Sequence, residues 1–207
     1  DNRYALDSAA AYPKRFVPIV VLDAQDPASP QLLKNLAGKH RLGGLRIVAP
    51  ELTEKDTAWV DSEDSLGLCR AASDLGLPVT VILYRKNNEA GRAALLGIAR
   101  KFRSVPILID HVGVPHASTP ETRFAASQGI HYVVPPPPGF GIAESVAQFG
   151  DLGHVHFKVT DINFDRLEDG HFDSAAFVRA LADRLCHDAE DADHRKRDGN
   201  RAEQSQH

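Results

Sequence analysis

The chain is predicted to be a parallel α/β domain, and three features of the sequence carry that prediction. Helical and strand patterns alternate along most of its length, the strand segments are apolar on both faces, and glycine or proline falls at the joints. A strand apolar on both faces must be covered on both, which a parallel sheet flanked by helices achieves. Pattern alone leaves two architectures, a closed barrel and an open doubly wound sheet. The segment after the first strand, Leu22-Asp23-Ala24-Gln25-Asp26-Pro27, has no glycine-rich phosphate fingerprint, which weighs against the nucleotide-binding version of the open sheet.

The elements follow in order. Leu6 to Tyr12 is alanine-rich and stopped by Pro13, as at the end of a helix, and Phe16 to Leu22 is a buried strand ending at Asp23. Ser29-Pro30 opens the next helix with a capping residue and a first-turn proline, and this helix runs to about Gly38. Gly43 to Val48 is the second strand. Ser62 to Leu75 is helical and stops at Gly76, Pro78 to Tyr84 is a strand, Glu89 to Phe102 is helical, and Val105 to Asp110 is a strand. After a longer excursion come a helix over Ile142–Leu152, a strand over His154–Thr160, and an amphipathic helix over Asp173–Leu185, capped by Asp173 or Ser174. A complete eight-unit barrel typically takes ~250 residues, so the repeats counted here would, on the barrel alternative, make an incomplete one.

Composition narrows the function. With 207 residues, 43% hydrophobic and 25% charged, the chain can bury one sizeable core. Its net charge of -4 and lack of a basic stripe exclude nucleic acid as an expected partner. The apolar runs Val17–Leu22 and Val79–Leu83 are far short of the ~20 residues that span a bilayer, so no membrane association is expected. Cys69 and Cys186 lie far apart in helical patterns with no partner at metal-ligand spacing, and a reducing cytoplasm is the expected location. No methionine occurs, even at position 1, and the chain is expected to be a segment of a longer protein. Asp188 to His207 contains no Leu, Ile, Val or aromatic residue. The expected organisation is therefore a barrel domain over 1–186 and a polar, disordered tail over 187–207.

Active sites of parallel α/β proteins lie at the C-terminal ends of the strands, which selects the polar residues worth examining. They are Asp23, Arg46, Glu51, Tyr84-Arg85-Lys86, Asp110-His111, and Lys158-Val159-Thr160-Asp161. A strand-end histidine such as His111 can bind metal, donate to a carbonyl oxygen or move a proton; its structural alternative is a hydrogen bond to a neighbouring loop. Arg46 stands in an otherwise apolar strand, where a guanidinium needs either a substrate anion or a structural ion pair. Lys158 poses the same question. Tyr84 offers a hydroxyl to a substrate or an aromatic ring to the core. His154-Val155-His156 has the spacing of a zinc pair, yet it sits at the start of its strand, and a structural role is the favoured reading. Pro135 to Pro138 followed by Gly139-Phe140-Gly141 makes a stiff stretch that could wall a substrate site with Phe140, or simply connect elements.

Gly43-Gly44-Leu45-Arg46-Ile47, Leu77-Pro78-Val79-Thr80-Val81, Val105-Pro106-Ile107-Leu108-Ile109-Asp110-His111-Val112-Gly113-Val114-Pro115 and Val155-His156-Phe157-Lys158-Val159-Thr160, in that order, resemble the amidohydrolase-related family. This is the branch of the amidohydrolase superfamily that holds lactonases and decarboxylase relatives. The resemblance covers roughly Tyr4 to Leu185. It implies a (β/α)8 TIM barrel of which about strands two to six are present. It also implies that His111 is a metal ligand or a contact to the substrate carbonyl, and that Arg46, Tyr84 and Lys158 face substrate. The family's first-strand His-x-His and last-strand aspartate have no counterpart here, and because the fourth-strand position near Val81 to Tyr84 lacks a histidine or glutamate to bridge two metals, a mononuclear or metal-free parent is implied.

The implied parent is a hydrolase of a small carboxylated or cyclic ester or amide, with His111 polarising the carbonyl and Arg46 holding an anionic group. One divalent metal, zinc or similar, is the implied cofactor of the longer protein. A decarboxylase on the same barrel and a non-catalytic binding fragment are the alternatives. The expected partners are a small-molecule substrate and, through exposed barrel edges, further copies of the chain.

Overall fold

The structure is a computed structural model that describes residues 1–48, 59–82, 89–113, 140, 142, 144–160 and 173–185. Glu51, Tyr84, Arg85, Lys86, Pro135 to Pro138, Asp161 and the tail 187–207 lie outside the described residues. The elements are α1 (Arg3–Ala11), β1 (Ile19–Asp23), α2 (Ser29–Lys39), β2 (Gly44–Val48), α3 (Glu63–Asp74), β3 (Val79–Val81), α4 (Glu89–Lys101), β4 (Ile107–Ile109), a 3-10 turn (Asp110–Gly113), α5 (Glu144–Ala147) and β5 (Val155–Phe157). Residues 174–185 form a further helix, α6.

The chain divides into two compact units. The first holds Asp1–Val114 with His154–Thr160, and the second holds Pro115–Gly153 with Asp161–His207. All the described strands belong to the first unit. They form a five-stranded sheet in the order β1-β2-β3-β4-β5, with every neighbouring pair parallel. This order decides between the two architectures. A doubly wound sheet reverses its strand order at a switch point. Here the order runs from β1 to β5 without reversal, and with the right-handed crossover that parallel strands take, α2, α3 and α4 fall on one face of the sheet, as in part of a barrel.

Burial reflects that asymmetry. Val20, Leu45, Val79 and Ile107 make one register row and Leu22, Ile47, Val81 and Ile109 another, and all eight are at most 5% exposed. The intervening row, Val21, Arg46, Thr80, Leu108 and His156, points the other way. In it Val21 is 39% exposed and only Thr80 is buried.

Proline starts three of the strands without cost to the sheet. Pro18, Pro78 and Pro106 lack an N–H, but their carbonyls accept from the N–H groups of Gly43, Leu45 and Val79 respectively. Gly44 lets β2 approach β3 closely, since a Cβ there would lie 3.0 Å from the Pro78 carbonyl oxygen. The outer edge of β1 is covered by a side chain: Asn2 Oδ1 accepts from the Val21 N–H at 2.7 Å, and its Nδ2 donates to the Val21 carbonyl at 2.9 Å. A carboxamide thereby stands where the peptide of another strand would pair.

The helix boundaries have local causes. Ser62 caps α3 by accepting from the Ser65 N–H, with Glu63 and Asp64 in the first turn beside the positive end of the helix dipole. At the other end Gly76 takes φ +64, while Leu77 and Gly76 donate to the Ala72 and Ser73 carbonyls, a Schellman termination. The cap expected from Ser29 is corrected. Ser29 is the first residue of α2 and is buried, the cap position is Ala28 with no side-chain cap bond, and Asp26 only shapes the preceding turn, its side chain accepting from the Ala28 N–H and its carbonyl from the Ser29 N–H.

In the second unit, Phe140 and Phe177 pack edge to face at 5.8 Å, both nearly inaccessible, and Arg184 pairs with Glu144 between α6 and α5. Asp173 is the cap of α6, accepting from the Ala175 N–H at 2.8 Å.

Candidate active site at the strand ends

Three strands contribute to one charged cluster. Asp110 directly follows β4 and Lys158 directly follows β5. Ile109 pairs with Phe157, so the next residues, Asp110 and Lys158, stand opposite each other. The strand alternation puts both on the same face as Arg46. Asp110 Oδ1 lies 2.9 Å from Lys158 Nζ, and Oδ2 lies 2.7 Å from Arg46 Nη2. Arg46 reaches Asp110 from β2 past β3, where its register partner is the short side chain of Thr80.

The carboxylate is almost sealed, with its side chain 6% exposed, while Arg46 and Lys158 remain 35% and 37% exposed. Two cations on one carboxylate leave the cluster with a formal charge of +1. The Arg46 Nε is buried and has no hydrogen-bond partner. The guanidinium is held in place by Asp110, and its exposed part keeps N–H donors on the open face of the sheet, which suits an incoming carboxylate.

His111 adjoins the cluster in an uncommon backbone conformation, φ 53, at the 3-10 turn that follows β4. A left-handed non-glycine residue costs on the order of 1 kcal/mol or more and persists only where its surroundings enforce it. One such constraint is visible: His111 Nδ1 lies 2.7 Å from Thr160 Oγ1, beyond β5. The contact fixes the ring, and the chemistry available to a held imidazole is polarisation of a carbonyl or transfer of a proton.

The structure therefore brings together His111, Arg46 and Lys158, and adds Asp110 and Thr160. Sequence reading treated Asp110 only as a companion to His111, although a carboxylate directly after an apolar strand, with two strand-borne cations to neutralise, was the available signal. Thr160 stood among the strand-end polar residues, but nothing in the sequence tied it to His111. Tyr84 lies outside the described residues, and Phe140 is buried in the second unit against Phe177. The structural reading of His154 holds: its Nε2–H donates to the Ala99 carbonyl at 2.9 Å, which removes that nitrogen from metal binding.

The described donors do not fit a metal centre by themselves. Both Asp110 oxygens face cations, His111 Nδ1 faces Thr160, and no group of three or more His, Cys, Asp or Glu side chains able to hold a metal occurs among the described residues. Among the described residues there is also no helix long and apolar enough to cross a membrane.

Comparison with known proteins agrees with this architecture. A zinc-bound amidohydrolase from Burkholderia multivorans superposes with a TM-score of 0.55 at 17% identity, covering 88% of this chain and 57% of its own. An uncharacterised TIM-barrel protein from Bordetella bronchiseptica gives 0.52 at 17% identity over 89% and 57%. A 2,6-dihydroxybenzoate decarboxylase from Rhizobium gives 0.52 at 16% identity over 88% and 62%. At these identities the likeness is one of fold, and the chain spans about three-fifths of the length of these structures. No curated protein matches. The family profile described as amidohydrolase, however, matches residues 1–185, and with that extent the chain belongs to the amidohydrolase family, its five parallel strands forming part of a TIM barrel.

Proposed function

We propose that the protein hydrolyses a small carboxylated ester, lactone or amide at the C-terminal ends of its strands. The observation that carries this reading is the cluster of Arg46 and Lys158 on a single buried carboxylate, with excess positive charge on the open face beside a constrained histidine. In this reading Arg46 and Lys158 hold the substrate carboxylate, Asp110 keeps both cations in position, and His111 polarises the scissile carbonyl while Thr160 fixes its ring. Water adds to the carbonyl carbon, the bond to the leaving oxygen or nitrogen breaks, and a proton passes to the leaving group.

The experiment is turnover of carboxylated lactones and esters by the protein and two variants. His111→Ala is expected to lower kcat by about 100-fold or more, the scale of losing one group that stabilises developing charge. Arg46→Met is expected to act mainly through KM, raising it by about tenfold, since a carboxylate is held equally in ground and transition states. An unchanged kcat in His111→Ala ends the hydrolase reading.

Decarboxylation is a second reading, favoured by the fold likeness to the Rhizobium 2,6-dihydroxybenzoate decarboxylase. It uses the same anion site, and release of carbon dioxide from candidate acids without ester hydrolysis selects it. The free, buried Cys69 fits a reducing cytoplasm as the place of action, and the exposed apolar flank of β1 fits association between copies.

A further inference from the structure

A cavity of about 280 Å³ lies at the opposite end of the first two strands from the charged cluster. One wall is a stripe of α1 and its exit, Leu6, Ala9, Ala10 and Pro13, spaced as one face of a helix. The space exists because two positions of that stripe are alanines whose methyl groups do not fill it. Phe16 and Val17, 54% and 45% exposed, form the apolar approach to β1. The remaining rim is Lys39, His40 and Arg41, and no acidic residue among the described residues lines the cavity. Neither Lys39 nor Arg41 forms an ion pair among the described residues. Lys39 has a local reason to be where it is, in the last turn of α2 against the negative end of the helix dipole. Arg41 lies beyond the helix and has none.

An apolar wall ending in two unpaired cations selects a ligand with an apolar body and an anionic head. A water takes about 30 Å³ of liquid, so the cavity has room for roughly nine waters, or about ten heavy atoms. We infer that this cavity binds a medium-chain carboxylate, its chain along the alanine stripe of α1 and its carboxylate at Lys39 and Arg41. The site is separate from the strand-end cluster and does not depend on the activity proposed there.

Octanoate is the probe, titrated calorimetrically into the protein, with octanol and acetate as controls. Saturable binding of octanoate at this cavity is expected, at least about tenfold weaker for each control because each lacks one of the two recognition elements. Lys39→Gln with Arg41→Gln should weaken octanoate by about tenfold, and Ala10→Leu should weaken it by occupying the groove, while Arg46→Met should leave it unchanged. Should a variant misfold, nuclear Overhauser contacts from carbon-13-labelled octanoate to the Phe16 ring and the Ala9 and Ala10 methyls in the unaltered protein give the same answer. The proposal is overturned by the absence of saturable binding, by octanol binding as tightly as octanoate, or by binding that Arg46→Met removes and the Lys39/Arg41 variant leaves intact. The last result would place the carboxylate in the strand-end cluster and would support the functional reading while refuting this one.

Discussion

The two faces of the sheet are built from the same strands and have opposite characters. On the helix side, Val20, Leu45, Val79 and Ile107 and the row above them are sealed to within a few per cent of complete burial. On the other side, Val21, Arg46 and His156 occupy a face with substantial exposure, and the charges gather there. The difference follows from strand order: unidirectional crossovers put the helices on one face only. One face can thus be given wholly to packing, which holds the strand ends in register. The other is free to carry groups that would be intolerable in a sealed core unless fully paired.

Substitutions on the two faces should separate them most sharply. Ile47→Ala on the sealed face is expected to destabilise by about 2–5 kcal/mol, whereas Val21→Ala on the open face should cost under about 1 kcal/mol. Urea denaturation of the two variants checks this, and equal losses would break the distinction. Next in size is the charged cluster. Asp110→Asn leaves Arg46 and Lys158 facing each other without the carboxylate between them; because both are about one-third exposed and partly screened, the expected loss is about 1–3 kcal/mol. Sulfate should raise the melting temperature of this variant more than that of the parent by standing in for the carboxylate. Equal responses in thermal melts would mean that the cluster does not accept anions.

The helix-covered side can also be probed by pH, one unit at a time. Burial pushes the Cys69 thiol from its ordinary 9.0 up to about 12, against a lesser opposing pull from Arg70. The folded pKa exceeds the unfolded one, so the stabilisation of the neutral thiol is complete below pH 9 and is lost as pH rises towards 12. Between those values stability should fall by up to about 1.4 kcal/mol per pH unit from this group, and Cys69→Ala should flatten that part of the profile. A slope unchanged by the substitution would assign the alkaline loss to other groups.

Much of this architecture is legible in the amino-acid sequence. The predicted helix over Ser62–Leu75 is found at Glu63–Asp74, where cap, glycine stop and apolar period agree, and the one over Glu89–Phe102 at Glu89–Lys101, where the apolar period marks it. The strands were placed correctly but drawn too long: Val105–Asp110 shrinks to Ile107–Ile109, since an apolar run marks where a strand is buried and says little about where its ladder ends. The choice between barrel and open sheet needed the strand order, a long-range property that local pattern does not encode. The site was half visible for the same reason. His111 and Arg46 were found by their position in single strands, but the union of Arg46, Asp110 and Lys158 depends on register between β2, β4 and β5.

The carboxamide of Asn2 on the β1 edge has a consequence for the protein over time. Any strand that adds to this edge must first displace Asn2 from Val21, so association there is a competition with an internal ligand. Deamidation would exchange the Nδ2 donor for a carboxylate oxygen facing the Val21 carbonyl, turning one of the two latch bonds into a repulsion. Aged samples should therefore gain higher-order species in step with the fraction of Asn2 converted, as read by mass spectrometry alongside light scattering. A single slow covalent change at position 2 would then set the shelf life of the protein as a monodisperse species.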